Sequence, residues 1–150
     1  MIVMKRSDSG KKNGGPGPIL EAESRFLDAL ETLDVDEIMA CWADSDDVTL
    51  VYPGTDLAIG PEDVRSAWES VRRNTSRLET VLEPVTAARA GSMGWTFLVG
   101  TLVSTHGDET LSVEVYVTNI YRLEAGEWKL VHHHATPAPH QPSYLEQRLN

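Results

Sequence analysis

The chain has 150 residues, 41% of them hydrophobic and 24% charged, a balance that predicts one globular domain and excludes a disordered chain. Its net charge is −10, unevenly spread: residues 1–18 hold four Lys or Arg against one Asp, the remainder nine against twenty-two. An acidic body repels a phosphate backbone, which argues against a nucleic-acid partner, and the single cysteine, Cys41, excludes an intrachain disulfide and an all-cysteine metal site.

Residues 1–18 end in Asn-Gly-Gly-Pro-Gly-Pro and predict a flexible basic tail, with a single domain over 19–150. No apolar run resembles a signal peptide and none approaches eighteen residues, so the expectation is a cytoplasmic protein without a membrane partner. Ile19, Ala22, Phe26, Leu30 and Leu33 recur at helical spacing and predict a first helix over 19–33. Asp34 is placed to cap a second helix, with Glu37 three residues on and Val35, Ile38, Met39 and Trp42 as its buried stripe. The acidic loop that follows, Asp44 to Asp47, fits a solvated turn, since adjacent carboxylates point apart.

Val48–Tyr52 alternates as a strand into a Pro53-Gly54 turn, and Leu57–Ile59 predicts a short return. Pro61 at the first helical position, with Glu62 and Asp63 beside it, opens a third helix whose stripe is Val64, Ala67, Trp68 and Val71. From Leu78 the period changes to two. Strands are predicted over 78–90, 95–105, 111–123 and 127–135, separated by glycine-bearing turns. Strict alternation puts Val117, Asn119 and Tyr121 on one face of the third long strand, and Glu114, Tyr116 and Thr118 on the other. Asn119 ends an apolar row, so its amide needs partners or a cavity.

The last strand holds three of the five histidines. Alternation places His132 and His134 with Trp128 and Leu130, and His133 opposite, with Val131 and Lys129; Pro137 should end the strand near Ala135. A His-x-His pair can hold a metal only with a third ligand, and His106, Asp47 and Glu114 stand at no diagnostic spacing, so no metal site is expected. Three helices and then long antiparallel strands predict an α+β fold: a curved, cone-shaped antiparallel sheet with the helices on its concave face and a mouth able to hold a ligand.

The strings Ala40–Asp44, Val51–Gly54, Gly60–Arg65, Val117–Arg122 and Gly126–Ala135 resemble the nuclear transport factor 2-like superfamily, in its SnoaL-like, ketosteroid-isomerase-like branch. They are also similar to the association domain of calcium/calmodulin-dependent protein kinase II. The resemblance covers about residues 19–139 and implies the cystatin-like cone. It puts Tyr52 where the isomerase has its general base, and Thr118 or Asn119 where that enzyme has a protonated Asp. A phenol is a poor base at neutral pH and a good donor. Positions matching the association domain's basic pocket hold Val64, Val99, Asn119 and Ala135, none of them basic.

The same mapping turns Val99, Asn119, Val131 and His133 toward the pocket, and His132 and His134 outward. Two functions follow. One is a small-molecule site without a cofactor, with lyase, isomerase or cyclase chemistry on a mostly apolar substrate. There Tyr52, Asn119 and His133 act, while Trp42, Val64, Trp68, Phe97, Val99, Val117 and Val131 line the pocket. The other is a non-catalytic ligand-binding or assembly module. Its homodimer would form through Glu114, Tyr116, Thr118, His132 and His134.

Overall fold

The computed structural model describes residues 15–139, so the basic tail predicted over 1–18 lies almost wholly outside the described residues. Helix α1, Gly17–Thr32, starts with Pro18 in its first turn and ends where Leu33 turns left-handed at φ 57°. Ile19, Ala22, Phe26 and Leu30 form its buried stripe, and Glu23 lies buried among them. Helix α2, Val35–Ala40, is capped by Asp34, whose Oδ1 accepts from the amides of Asp36 and Glu37 at 2.9 and 3.3 Å. Helix α3, Pro61–Asn74, carries Glu62 and Asp63 in its first turn and Arg72 and Arg73 in its last, each end matched to the dipole. Among the described residues, no helix is long and apolar enough to cross a membrane.

Six strands form one sheet: β1 Thr49–Val51, β2 Ala58–Ile59, β3 Arg77–Ala90, β4 Met93–His106, β5 Glu109–Glu124 and β6 Glu127–Pro137. They lie in the order β2-β1-β6-β5-β4-β3, curved and unclosed around the helices. The expectation of a purely antiparallel sheet needs one correction, because β1 runs parallel to β6. The cause is the exit from α2. Cys41 and Ala43 exchange backbone hydrogen bonds with Leu130 at 2.8 and 2.9 Å, so the chain enters the sheet alongside β6 and continues in the same sense. Strand β6 also runs on to Pro137. Strand β1 stops opposite His134, leaving β6 an open side there on which proline is tolerated.

A second correction decides where the histidines point. Ile120 pairs with His132 but Tyr121 pairs with Leu130, so Val131 is an extra residue in β6, a β-bulge. The bulge shifts the alternation by one. Trp128 and Leu130 face the helices before it, and His133 and Ala135 after it, all buried. The predicted sharing of a face by Leu130, His132 and His134 is therefore wrong. Directly opposed residues share a face, so Ala87, Thr96, Asn119, His133 and Leu50 make one transverse row across the concave side. Phe26, Trp68 and Ile19 pack the core over this row, each contributing about 1.5–3 kcal/mol through burial.

Candidate functional site

The transverse row sets three polar side chains side by side, Thr96 from β4, Asn119 from β5 and His133 from β6, and α1 lays Glu23 over them. The Thr96 hydroxyl donates to Glu23 Oε1. Asn119 Nδ2 donates to Glu23 Oε2 at 2.8 Å, and Asn119 Oδ1 meets His133 Nδ1 at 2.5 Å. All four side chains are buried, His133 to 2% exposure. An aromatic chamber encloses the imidazole: ring centroids of Phe26, Trp68 and Tyr52 lie 5.2, 5.8 and 5.9 Å from it, with Tyr52 stacked. Among the described residues, His133 Nε2 has no hydrogen-bond partner.

Burial pushes the Glu23 carboxyl above its ordinary range, opposed by the hydrogen bonds from Thr96 and Asn119. The Tyr121 hydroxyl lies buried beside it, close enough to act on the carboxyl, though its geometry falls short of a hydrogen bond. Burial, then His132 and His134, push His133 down to about 3, so the imidazole is neutral at physiological pH. Burial pushes the Tyr52 phenol up to about 12.

The His133 shift carries a sign. An unfolded histidine takes up a proton below about pH 6.5 while the buried one does not, so stability falls as pH drops from there toward 3. Glu23 works the other way, since a raised native carboxyl takes up its proton at a higher pH than the unfolded chain does. Urea unfolding at pH 7 and pH 5 should therefore show the wild type losing about 2 kcal/mol more than His133→Gln. Equal losses would contradict a neutral buried imidazole.

Tyr52 also lines a cavity of about 190 Å³. It opens between the C-terminal end of α3, the Pro53-Gly54 turn and the β4–β5 hairpin. Val71, Leu78, Leu102, Leu111 and Val113 give its apolar walls, and Ser70, Asn74 and Ser104 its polar fringe. Among the described residues, no charged side chain lines it.

The structure thus brings Tyr52, Asn119 and His133 together. Both polar atoms of Asn119 are engaged by Glu23 and His133, so its amide supports the histidine rather than facing the cavity. Of the expected pocket residues, Val64, Trp68 and Val117 are core. Trp42 is buried against Phe26 and borders a separate cleft of about 320 Å³ beside Arg65 and Glu62. Val131 is the bulge residue.

Phe97 and Val99 are a correction. The inward side chains of β4 are Thr96, Leu98 and Leu102, so the odd positions lie on the convex face, where Phe97 packs on Tyr116. Thr118, His132 and His134 share that face with Tyr116. His132 Nδ1 meets Thr49 Oγ1 at 2.7 Å, and the two histidine rings lie 5.8 Å apart. Among the described residues no group of three or more His, Cys, Asp or Glu is placed to hold a metal. Asp47 is engaged by Ser45 and by Arg122 at 2.8 Å, and Arg122 holds its carboxyl at about 2.

Sequence reasoning missed Glu23 and the cavity walls. Glu23 was signalled by its place, a carboxylate inside the stripe running from Ile19 through Ala22 to Phe26. The walls were signalled more weakly, as inward positions next to the turns that ring the mouth.

A profile of the SnoaL-like domain family matches residues 19–139. Among solved structures, a proposed dehydratase of the NTF2-like family from Streptomyces avermitilis is 24% identical, with a TM-score of 0.74, over 82% of this chain and 95% of that one. A proposed calcium/calmodulin-dependent protein kinase type II association domain from Thiobacillus denitrificans is 31% identical, with a TM-score of 0.68, over 78% of this chain and 92% of that one. A ketosteroid isomerase-like protein from Erwinia carotovora atroseptica has the same fold at 17% identity and a TM-score of 0.69, over 84% of this chain and 98% of that one. No curated protein matches the chain.

Proposed function

The chain belongs to the SnoaL-like domain family, and from that premise we propose that it binds a small, neutral, mostly apolar molecule at the mouth of its cone and moves a proton on it. One observation carries this reading: Tyr52 both lines the mouth cavity and stacks on His133, so the cavity and the buried imidazole meet at one side chain. An uncharged lining inside an acidic body selects against anionic ligands.

With its acidity pushed so low, Tyr52 keeps its proton and donates a hydrogen bond to a ligand oxygen. His133, neutral and stacked behind Tyr52, takes a proton from the carbon next to a carbonyl whose oxygen the phenol holds. The resulting enolate oxygen is stabilised by the phenol. Return of the proton to another carbon makes an isomerase, and departure of a group from the next carbon makes a lyase. The dehydratase and isomerase-like names of the similar structures fit this class.

The reading is tested with a matched pair of probes, 2-naphthol and 2-naphthoate, titrated against methyl-labelled protein. The naphthol should shift the methyls of Leu78, Leu102 and Val113 and saturate, and Tyr52→Phe should weaken it by about tenfold or less, the worth of one hydrogen bond. Naphthoate binding as well as naphthol, or neither moving those methyls, would overturn it.

A second reading concerns assembly. Trp95 and Val81 are 40% and 58% exposed on the convex face beside Phe97, Tyr116 and the two outer histidines, and similar structures include association domains. On this reading the chain pairs with a copy of itself across that face. Sedimentation at micromolar concentration should then give a dimer that Trp95→Glu dissociates; a wild-type monomer would contradict it.

A further inference from the structure

We infer that Glu23 sets the position of the proton on His133: acting through Asn119, its carboxylate holds the imidazole in the tautomer with Nδ1 protonated and Nε2 bare. The catalytic meaning of this inference rests on the proton-transfer reading above, but the tautomer itself exists without any ligand.

The argument is one of donors and acceptors. A carboxylate can only accept hydrogen bonds. Its two oxygens meet the Thr96 hydroxyl and the Asn119 amide, so Asn119 must turn its NH₂ toward Glu23. An amide has one donor end and one acceptor end, and the acceptor end, Oδ1, is left facing His133 Nδ1 at 2.5 Å. Two acceptors cannot bond, so Nδ1 carries the hydrogen. A neutral imidazole has only one, and Nε2 is therefore a lone pair.

Among the described residues, that bare nitrogen is buried without a partner, enclosed by Phe26, Trp68 and Tyr52. Turning Asn119 over would reverse the tautomer, but it would press the amide oxygen against the carboxylate where both side chains are buried. Glu23 touches no ligand in this scheme. It is a positioning residue two hydrogen bonds removed from the nitrogen that works.

The test is long-range ¹H–¹⁵N correlation on protein labelled in the imidazole nitrogens. The wild type should show His133 with a protonated Nδ1 and a bare Nε2. Glu23→Gln keeps the shape but can present either an acceptor or a donor to Asn119, so both amide orientations open and the pattern should become a mixture of tautomers. Thr96→Val removes only the second donor to the carboxylate and should leave the single tautomer intact. A wild type protonated at Nε2, or a Glu23→Gln protein still wholly protonated at Nδ1, would overturn the inference. A merely structural Glu23 would lower the melting temperature of Glu23→Gln without moving the tautomer. Because the measurement uses no ligand, its failure leaves the naphthol titration standing, and failure of that titration leaves the tautomer standing.

Discussion

Asn119→Leu is expected to lower stability by about 3–5 kcal/mol, much of the margin of a domain this size. The substitution nearly preserves volume, so packing alone predicts little loss. What it removes is the centre of a chain of buried polar groups. Glu23 keeps only the Thr96 hydroxyl, and a buried carboxylate that loses a donor forfeits about 1.5–3 kcal/mol. His133 loses its sole partner at Nδ1 and leaves a buried N–H unsatisfied, for about 1–3 kcal/mol more. Replacing Glu23 and His133 by leucine as well should recover most of the loss, because a fully apolar core has nothing left unpaired. Urea unfolding of the single and triple variants measures both quantities. A loss below about 1 kcal/mol in the single variant would mean that the network is not held together through Asn119.

Much of the fold was legible because it rests on periodicity. The helical stripes of Ile19 to Leu30 and Val64 to Trp68, and the alternation of Val115, Val117 and Tyr121, are buried as their spacing implies, while Val71 is partly buried at the cavity. The Asp34 cap and the proline start of α3 were equally readable, since each follows from local chemistry.

The site was legible only in part. Asn119 stood out as an amide at the end of an apolar row, and it is buried in the network. Alternation alone separated His133 from Trp128 and Leu130, because a β-bulge is one inserted residue and Val131 carries no local mark of it; the family resemblance was what turned His133 inward. Phe97 and Val99 were expected in the pocket, but the register of β4 turns them to the convex face. Glu23 went unread because a single acid in an amphipathic helix is ordinarily on the solvent side, and only its partners on β4 and β5 explain its burial. The parallel pairing of β1 with β6 joins elements about eighty residues apart, a distance over which no local pattern speaks.

The second large effect is on rate. If His133 is the base, His133→Gln should lower proton abstraction by about 10²–10⁴-fold, the usual contribution of a positioned general base. Tyr52→Phe should lower it less, since the phenol supplies one hydrogen bond to the developing oxyanion and takes no proton itself. Glutamine retains an N–H for Asn119 Oδ1, so this loss is separable from the collapse expected of Asn119→Leu. The unperturbed fold of His133→Gln is checked by its methyl spectrum, in which Leu102 and Val113 should still respond to 2-naphthol.

The most direct measurement is the exchange of the α-hydrogens of 2-tetralone, a neutral apolar ketone, in D₂O. The wild type should accelerate exchange above the buffer rate and saturate at the ketone concentration that saturates the Leu102 shift, while His133→Gln falls back to the buffer rate. Saturating methyl shifts with exchange no faster than in buffer would contradict proton transfer, and would leave the cone as a binding site alone.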